Sequence, residues 1–150
     1  MSSRHCTVCT DESHCGGYHV YVIELDPEVL TRARFQKQNT DLPSDVICFY
    51  VGYSGHSPSC RFAQHKGHYQ NDSSFRCSCY SEEKTRYFLG RGPEGQGTTG
   101  GNRFVGEFGR YLRGRKFRSY NPIGTQDEAK EREEWLADRL REQGFGVYQK

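Results

Sequence analysis

Tyr50, Arg61 and His65 fall in a stretch whose residue types and spacing suit chemistry on a phosphate ester, Phe49-Tyr50-Val51-Gly52-Tyr53-Ser54-Gly55-His56-Ser57-Pro58-Ser59-Cys60-Arg61-Phe62-Ala63-Gln64-His65-Lys66. A guanidinium such as that of Arg61 can hold two phosphate oxygens at once. An imidazole is the side chain best suited to moving a proton near neutral pH. A phenol can position an attacking water, or deprotonate it if its pKa falls from about 10. The stretch opens with an apolar run rich in β-formers, Val46 to Val51, and breaks at Gly52 and Gly55. It restarts at Ser57-Pro58, a residue able to cap a helix followed by the proline favoured at the first helical position. The pattern predicts a strand, a tight turn and a helix. Arg61 and His65 are then one helical turn apart, on one face, near where Tyr50 leaves its strand.

Two further segments supply partners. In His19-Val20-Tyr21-Val22-Ile23-Glu24-Leu25, a second β-like run, Tyr21 points to the face opposite Val20 and Val22. Far downstream, Gln126 to Gln143 is rich in strong helix formers, and Gly144 stands where a C-terminal cap would end the helix. Ala129, Leu136 and Leu140 mark its inward stripe with Ala137 beside it, and Glu133 falls in the same stripe. Glu134, the neighbouring acid, is rotated about 100° away. Phe145, Val147 and Tyr148 suggest a short final strand.

Taken together, His19-Val20-Tyr21, Tyr50-Val51-Gly52, Ser54, Arg61, His65 and the acidic helix around Glu133-Glu134-Trp135-Leu136-Ala137 resemble the GIY-YIG nuclease family. The likeness runs from about Tyr18 to Lys66 and, more loosely, over the C-terminal helix. His19 stands where the family's first triplet has glycine, the spacer between the triplets is longer, and Phe145-Gly146 stands where Tyr-Asn would be expected. The resemblance implies an α+β domain with a small, mainly antiparallel sheet flanked by helices. It also implies a metal-dependent endonuclease that hydrolyses phosphodiester bonds, of DNA in preference to RNA. Tyr21, Tyr50, Arg61, His65 and Glu133 would form the site. Glu133 would hold Mg²⁺, or Mn²⁺, with water and a phosphate oxygen, as a hard cation prefers. Arg61 would hold the scissile phosphate, and Tyr50, helped by Tyr21 or His65, would position or deprotonate the water. The plainer reading is structural, with the tyrosines as sheet aromatics, His65 as a helix-face residue, and Glu133 paired with Arg132 or Arg139.

The remainder of the chain sets the context. At 150 residues it reads as one domain, and a mean hydropathy of −0.91 with 33% hydrophobic residues leaves much surface for solvent or partners. Aromatic residues at 13% argue against disorder. A net charge of +2 neither requires nor excludes nucleic acid, so its distribution matters more. Between Asn102 and Tyr120 it is concentrated: Arg103, Arg110, Arg113, Arg115, Lys116 and Arg118 interleave with Phe104, Phe108, Tyr111, Phe117 and Tyr120. With Lys66, these basic residues are candidates for nucleic-acid contact, since cations meet phosphates and aromatics stack on bases. Alternatively the aromatics are core, the arginines are solvated, and Lys116 to Tyr120 is a strand.

Asp26-Pro27-Glu28-Val29-Leu30 predicts a helix start, with Asp26 as cap, running to about Lys37 and carrying Arg32 and Arg34 between the two triplets. Residues 1–17 form a cysteine-containing extension ahead of a domain over 18–150, itself interrupted by an irregular insertion at about 67–101 with a glycine-rich run from Gly90 to Gly101. No apolar run approaches a membrane span and no signal peptide is evident, so the expectation is a cytoplasmic protein. In that compartment the seven cysteines read as metal ligands or buried thiols. Cys6, Cys9, Cys77 and Cys79 could hold a structural Zn²⁺, with Cys15 or His14 as substitutes, stapling the N-terminus to the insertion. A zinc-stapled nucleic-acid-binding or assembly module that does not cleave is therefore the alternative to the enzyme, and a third possibility is a protein-interaction domain whose basic segment meets an acidic partner.

Overall fold

The computed structural model describes residues 17–70 and 102–149. Cys6, Cys9, His14, Cys15, Cys77, Cys79 and the run from Gly90 to Gly101 lie outside these residues, as does the expected zinc staple. The described segments form an α+β arrangement around a four-stranded mixed sheet. In chain order they are β1 (His19–Leu25), a 3₁₀ turn (Pro27–Thr31), α1 (Ala33–Gln36), β2 (Cys48–Ser54), α2 (Pro58–Gln70), α3 (Arg103–Phe108), β3 (Gly109–Leu112), two 3₁₀ turns (Gly114–Lys116 and Arg118–Tyr120), α4 (Gln126–Glu142) and β4 (Gly146–Tyr148).

The strand order is β3-β1-β2-β4. β1 lies antiparallel to both neighbours, with Tyr21 opposite Gly52 and Ile23 opposite Tyr50. β4 instead runs parallel to β2, pairing Tyr50 with Tyr148. The sheet is therefore mixed, two of its three pairings being antiparallel, because the intervening helices carry the chain back to enter β4 in the direction of β2. Both faces of β1 and β2 are covered, which accounts for their nearly continuous apolar sequences. Val20, Val22 and Val51 are fully buried on one face, and Tyr21, Ile23 and Tyr50 are buried on the other. Leu136, Ala137 and Leu140 of α4 join the same core. Among the described residues, no helix is long and apolar enough to cross a membrane.

The segment after β1 departs from the single helix expected over residues 26–37. Asp26 does cap its start, accepting a hydrogen bond from the Glu28 N–H, and Pro27 opens the turn. The chain then becomes extended at Arg32 (φ −97°, ψ 131°) before the single turn of α1. Val29 and Phe35 explain the break. Both are fully buried, yet residues six apart on a straight helix point about 120° away from each other. Only a change of direction between them lets both reach the core. The basic segment differs as well: Lys116 to Tyr120 is not a strand but parts of two 3₁₀ turns, and the strand lies earlier, at Gly109–Leu112.

Side-chain amides complete the sheet where backbone partners run out. Asn39 accepts from the Val147 N–H and donates to its carbonyl, both at 2.8 Å. Gln38 does the same for Gln149, at 2.8 and 2.6 Å. Asn121 pairs in this way with Val20 on β1, at 2.9 and 2.8 Å. Each amide satisfies a donor and an acceptor that an edge would leave open. Helix α4 ends as its sequence predicts. Gly144 takes φ +97°, and the N–H groups of Gly144 and Phe145 donate to the Arg141 and Leu140 carbonyls, closing a Schellman turn.

Candidate active site

The cross-strand register brings the two phenols together. Tyr21 and Tyr50 share a face of the sheet, their ring centroids 5.9 Å apart. Gly52, opposite Tyr21, makes this possible. A Cβ there would lie 2.7 Å from the Tyr21 Oη and 2.8 Å from the Tyr50 ring, so any side chain would drive the phenols apart. Helix α2 begins as expected, with the Ser57 Oγ accepting from the Cys60 N–H at 3.2 Å and the Ser57 carbonyl from the Arg61 N–H. Its first turns deliver Arg61 and His65 to the tyrosines.

His65 is fully buried, with its ring edge-on to Tyr50 at 5.7 Å and its Nε2 3.0 Å from the Tyr21 Oη. Its Nδ1 accepts from the backbone N–H of Asn102 at 2.8 Å. A ring nitrogen that accepts from an amide carries no proton, so the proton sits on Nε2 and is donated to Tyr21. His65 therefore anchors Tyr21 rather than withdrawing its proton. Burial raises the pKa of Tyr21, and Arg61, by charge and hydrogen bond, pulls the other way. Tyr50 is raised well above its ordinary value by burial and by Tyr21, again opposed by Arg61. Both phenols are accordingly protonated at neutral pH and act as hydrogen-bonding groups.

Tyr50, Arg61 and Glu133 line a single cleft of about 480 Å³. Glu134, Lys130 and Gln126 of α4 and Gln149 beyond β4 share its wall. Glu133 lies on the inward stripe of α4, as its spacing indicates, with a relative exposure of only 9%. Its pKa is pushed up to about 7, first by burial and then by the Glu134 carboxylate, with Lys130 opposing. A buried acid beside a second carboxylate favours either a proton or a cation. Its oxygen donors, with that of Gln126, suit a hard divalent ion. Among the described residues no three His, Cys, Asp or Glu side chains cluster tightly enough to enclose a metal, so water and substrate oxygens would complete the coordination.

Compared with family models, curated proteins and solved structures, the chain has no match.

Of the expected residues, Tyr50, Arg61 and Glu133 meet in the cleft, and Tyr21 and His65 form the layer behind it. The basic residues do not gather there. Arg113 is ion-paired with Glu24, and both Arg113 and Lys116 stand over the ring of Phe49, at 5.9 and 5.3 Å. Phe49 points to the face opposite its neighbour Tyr50, so these two cations lie behind the sheet. Lys66 is half-buried with its ammonium 5.7 Å from the Phe62 ring, and burial lowers its pKa. Arg103, Arg110, Arg115 and Arg118 are exposed along the helix, strand and turns of their segment, outside the cleft. Phe104, Phe108 and Phe117 are core, whereas Tyr111 is 46% exposed.

Sequence reasoning passed over Gln126 and Lys130, although they stand seven and three positions before Glu133, a spacing that keeps them near its face. It had no signal for Asn102, 37 positions from His65, or for Gln149. The glycine in place of the expected asparagine has a local cause. A Cβ at Gly146 would lie 2.8 Å from Phe35 and 2.9 Å from Leu42, so the segment between β1 and β2 fills the space a side chain would need.

Proposed function

We propose that the chain is a metal-dependent endonuclease of the GIY-YIG type, acting on the phosphodiester bonds of nucleic acid, with DNA as the expected substrate. The observation that carries this reading is the convergence of Tyr50, Arg61 and Glu133 on one cleft. A phenol, a guanidinium and a carboxylate in one partly dry site serve phosphoryl transfer better than they serve packing, because a core gains nothing from burying an acid with a pKa of about 7.

Arg61 would hold the non-bridging oxygens of the scissile phosphate and the charge that develops on them. Glu133, with Glu134 beside it, would hold Mg²⁺ or Mn²⁺. When bound, that ion supplies Lewis acidity at the phosphate and the leaving oxygen. Tyr50 would orient the attacking water through its hydroxyl. Tyr21, fixed by the Nε2 proton of His65 and supported through the Asn102 amide, would fix the hydroxyl of Tyr50 in turn. Lys130 would balance the two carboxylates while substrate is absent.

Nicking of supercoiled plasmid in Mg²⁺ tests the proposal. The parent should nick, Arg61→Ala should nick about 10²–10³-fold more slowly, and Glu133→Ala should not nick. Binding that survives in all three proteins without any cleavage would overturn the enzyme in favour of the non-catalytic module.

A further inference from the structure

Gln149, directly after β4, lines the cleft of Tyr50, Arg61 and Glu133 and is fixed at both its backbone and its side chain. Its neighbour Tyr148 pairs with Tyr50 across the sheet, which brings residue 149 to the cleft wall. Gln38 holds the backbone, accepting from the Gln149 N–H and donating to its carbonyl. Arg141, in the last turn of α4, holds the side chain. One of its terminal nitrogens donates to the Gln149 Oε1 at 3.1 Å, and the other donates to the Val147 carbonyl, also at 3.1 Å.

A guanidinium has donors and no acceptor, so the atom that meets Arg141 must be the amide oxygen. The NH₂ at the other end of the amide makes no hydrogen bond among the described residues. With its oxygen engaged, what Gln149 can offer a ligand is this donor. The residue type is telling. A glutamate here would pair with Arg141 more strongly, because charge-assisted bonds are the stronger ones, but it would set a carboxylate against the cleft. Glutamine forgoes that pair and keeps a donor. Holding a long, half-buried side chain in one orientation also forfeits rotamer freedom that packing does not require.

We infer that the Gln149 NH₂ donates to a non-bridging oxygen of a phosphate that flanks the scissile one, with Arg141 as the positioning residue that turns the amide. The inference rests on the nuclease reading for the choice of ligand. Gln149 cannot join Glu133 and Glu134 in holding a cation, since its one acceptor is taken. It belongs instead with Arg61 and Lys130, which also offer the cleft donors alone. A phosphate oxygen accepts hydrogen bonds and donates none, so a wall of guanidinium, ammonium and locked amide suits it. Arg61 takes the scissile group, which leaves the neighbouring phosphate to Gln149 at the β4 side of the cleft.

Anisotropy of labelled DNA duplexes, titrated with the full-length protein in low salt without divalent ions, tests the contact. Gln149→Met keeps the length but loses the donor, and it should bind about tenfold more weakly than the parent. Gln149→Glu sets a carboxylate against the phosphate. It should bind about a hundredfold more weakly, a loss that shrinks as salt screens the repulsion. Its melting temperature should be no lower than the parent's, because the new carboxylate pairs with Arg141. Parent-like affinity in either variant overturns the inference, and so does a Gln149→Glu whose weaker binding comes with a lower melting temperature. Two duplexes of unrelated sequence should lose affinity alike, whereas a loss confined to one would assign the donor to a base carbonyl and overturn the phosphate contact. The role of Arg141 is read from a double-mutant cycle. In an Arg141→Met background the amide is no longer oriented, so Gln149→Met should cost no more than about threefold, and the full tenfold cost there would remove Arg141 from the inference. Arg141→Lys, with one donor for two acceptors, serves in the same cycle if Arg141→Met does not fold. Plasmid nicking in Mg²⁺ separates the two readings. A parent that shows these affinity losses without nicking keeps the contact and loses the enzyme, nicking with Gln149→Glu unimpaired does the reverse, and a parent that neither binds nor nicks removes both.

Discussion

Tyr21 with His65 and Tyr50 with Arg61 and Glu133 form two adjacent layers of similar chemistry, of which only the second lines the cleft. The inner pair is sealed, with exposures of 1% and 0%, and every polar atom named there has a fixed partner. The outer group faces the cleft and includes an acid whose protonation is poised near neutrality. The contrast separates groups that set geometry from groups that would touch phosphate, although all five residues look equally catalytic as residue types. A tyrosine on a β-strand can do either job, and the deciding factor is whether its hydroxyl meets a protein donor or the cleft.

Removing members of each layer should therefore have different signatures. Arg61→Ala is expected to lower nicking by about 10²–10³-fold, the usual cost of losing a charge-stabilising donor, with little change in melting temperature. Glu133→Gln should abolish Mg²⁺-dependent nicking altogether. His65→Ala should instead act on the fold: it leaves the Asn102 N–H without its partner, takes one of its partners from the Tyr21 hydroxyl and opens a buried cavity, at a cost of about 2–4 kcal/mol. Thermal denaturation separates the classes, and a large stability loss in Arg61→Ala with none in His65→Ala would invert the assignment.

Gly52→Ala should come next, at about 1–3 kcal/mol, because its methyl group would overlap both phenols and only a strand shift can relieve it. Activity should fall with it, since both layers move.

The pH dependence of stability sharpens the comparison at a smaller scale. The pKa of Glu133 rises from 4.5 to about 7 in the folded chain, so the fold favours its protonated form. The associated stability is fully present below pH 4.5 and is lost as pH rises to about 7 and beyond. Glu133→Gln escapes that loss. It should be more stable than the parent by about 1–2 kcal/mol at pH 8, after discounting for solvent on the cleft side, and close to it at pH 4. Denaturation at the two values checks this, and saturating Mg²⁺ at pH 8 should stabilise the parent but not the variant. The smallest effect belongs to Glu134→Gln, which removes the second cause of the upward shift and should move the midpoint of that pH dependence to lower values.

The elements that carry the site were legible because each announces itself locally. Ser57-Pro58 starts α2 through a side-chain cap and a fixed φ, and the stripe Ala129, Glu133, Leu136, Leu140 turns one face of α4 inward whatever it packs on. The helix over residues 26–37 was misread because capping signals fix where a helix begins but not whether Val29 and Phe35 can be buried on one straight axis. The strand within the basic segment was misplaced for a related reason. The segment's composition is uniform, while its cations divide between solvent and the back of the sheet, where Arg113 pairs with Glu24 and Lys116 covers Phe49.

From the sequence alone came β1, β2 and the short β4, and the starts of α2 and α4, since periodicity and capping act over a few residues; residue types and a family resemblance nominated the tyrosines, arginine, histidine and glutamate. Only the tertiary structure decided that β4 joins in parallel, that Asn102 fixes the tautomer of His65, that Gly146 leaves no room for a side chain, and that Arg141 holds the amide oxygen of Gln149. Those outcomes depend on contacts between positions far apart in the chain, where shape and available hydrogen-bond partners, rather than local preference, select the arrangement.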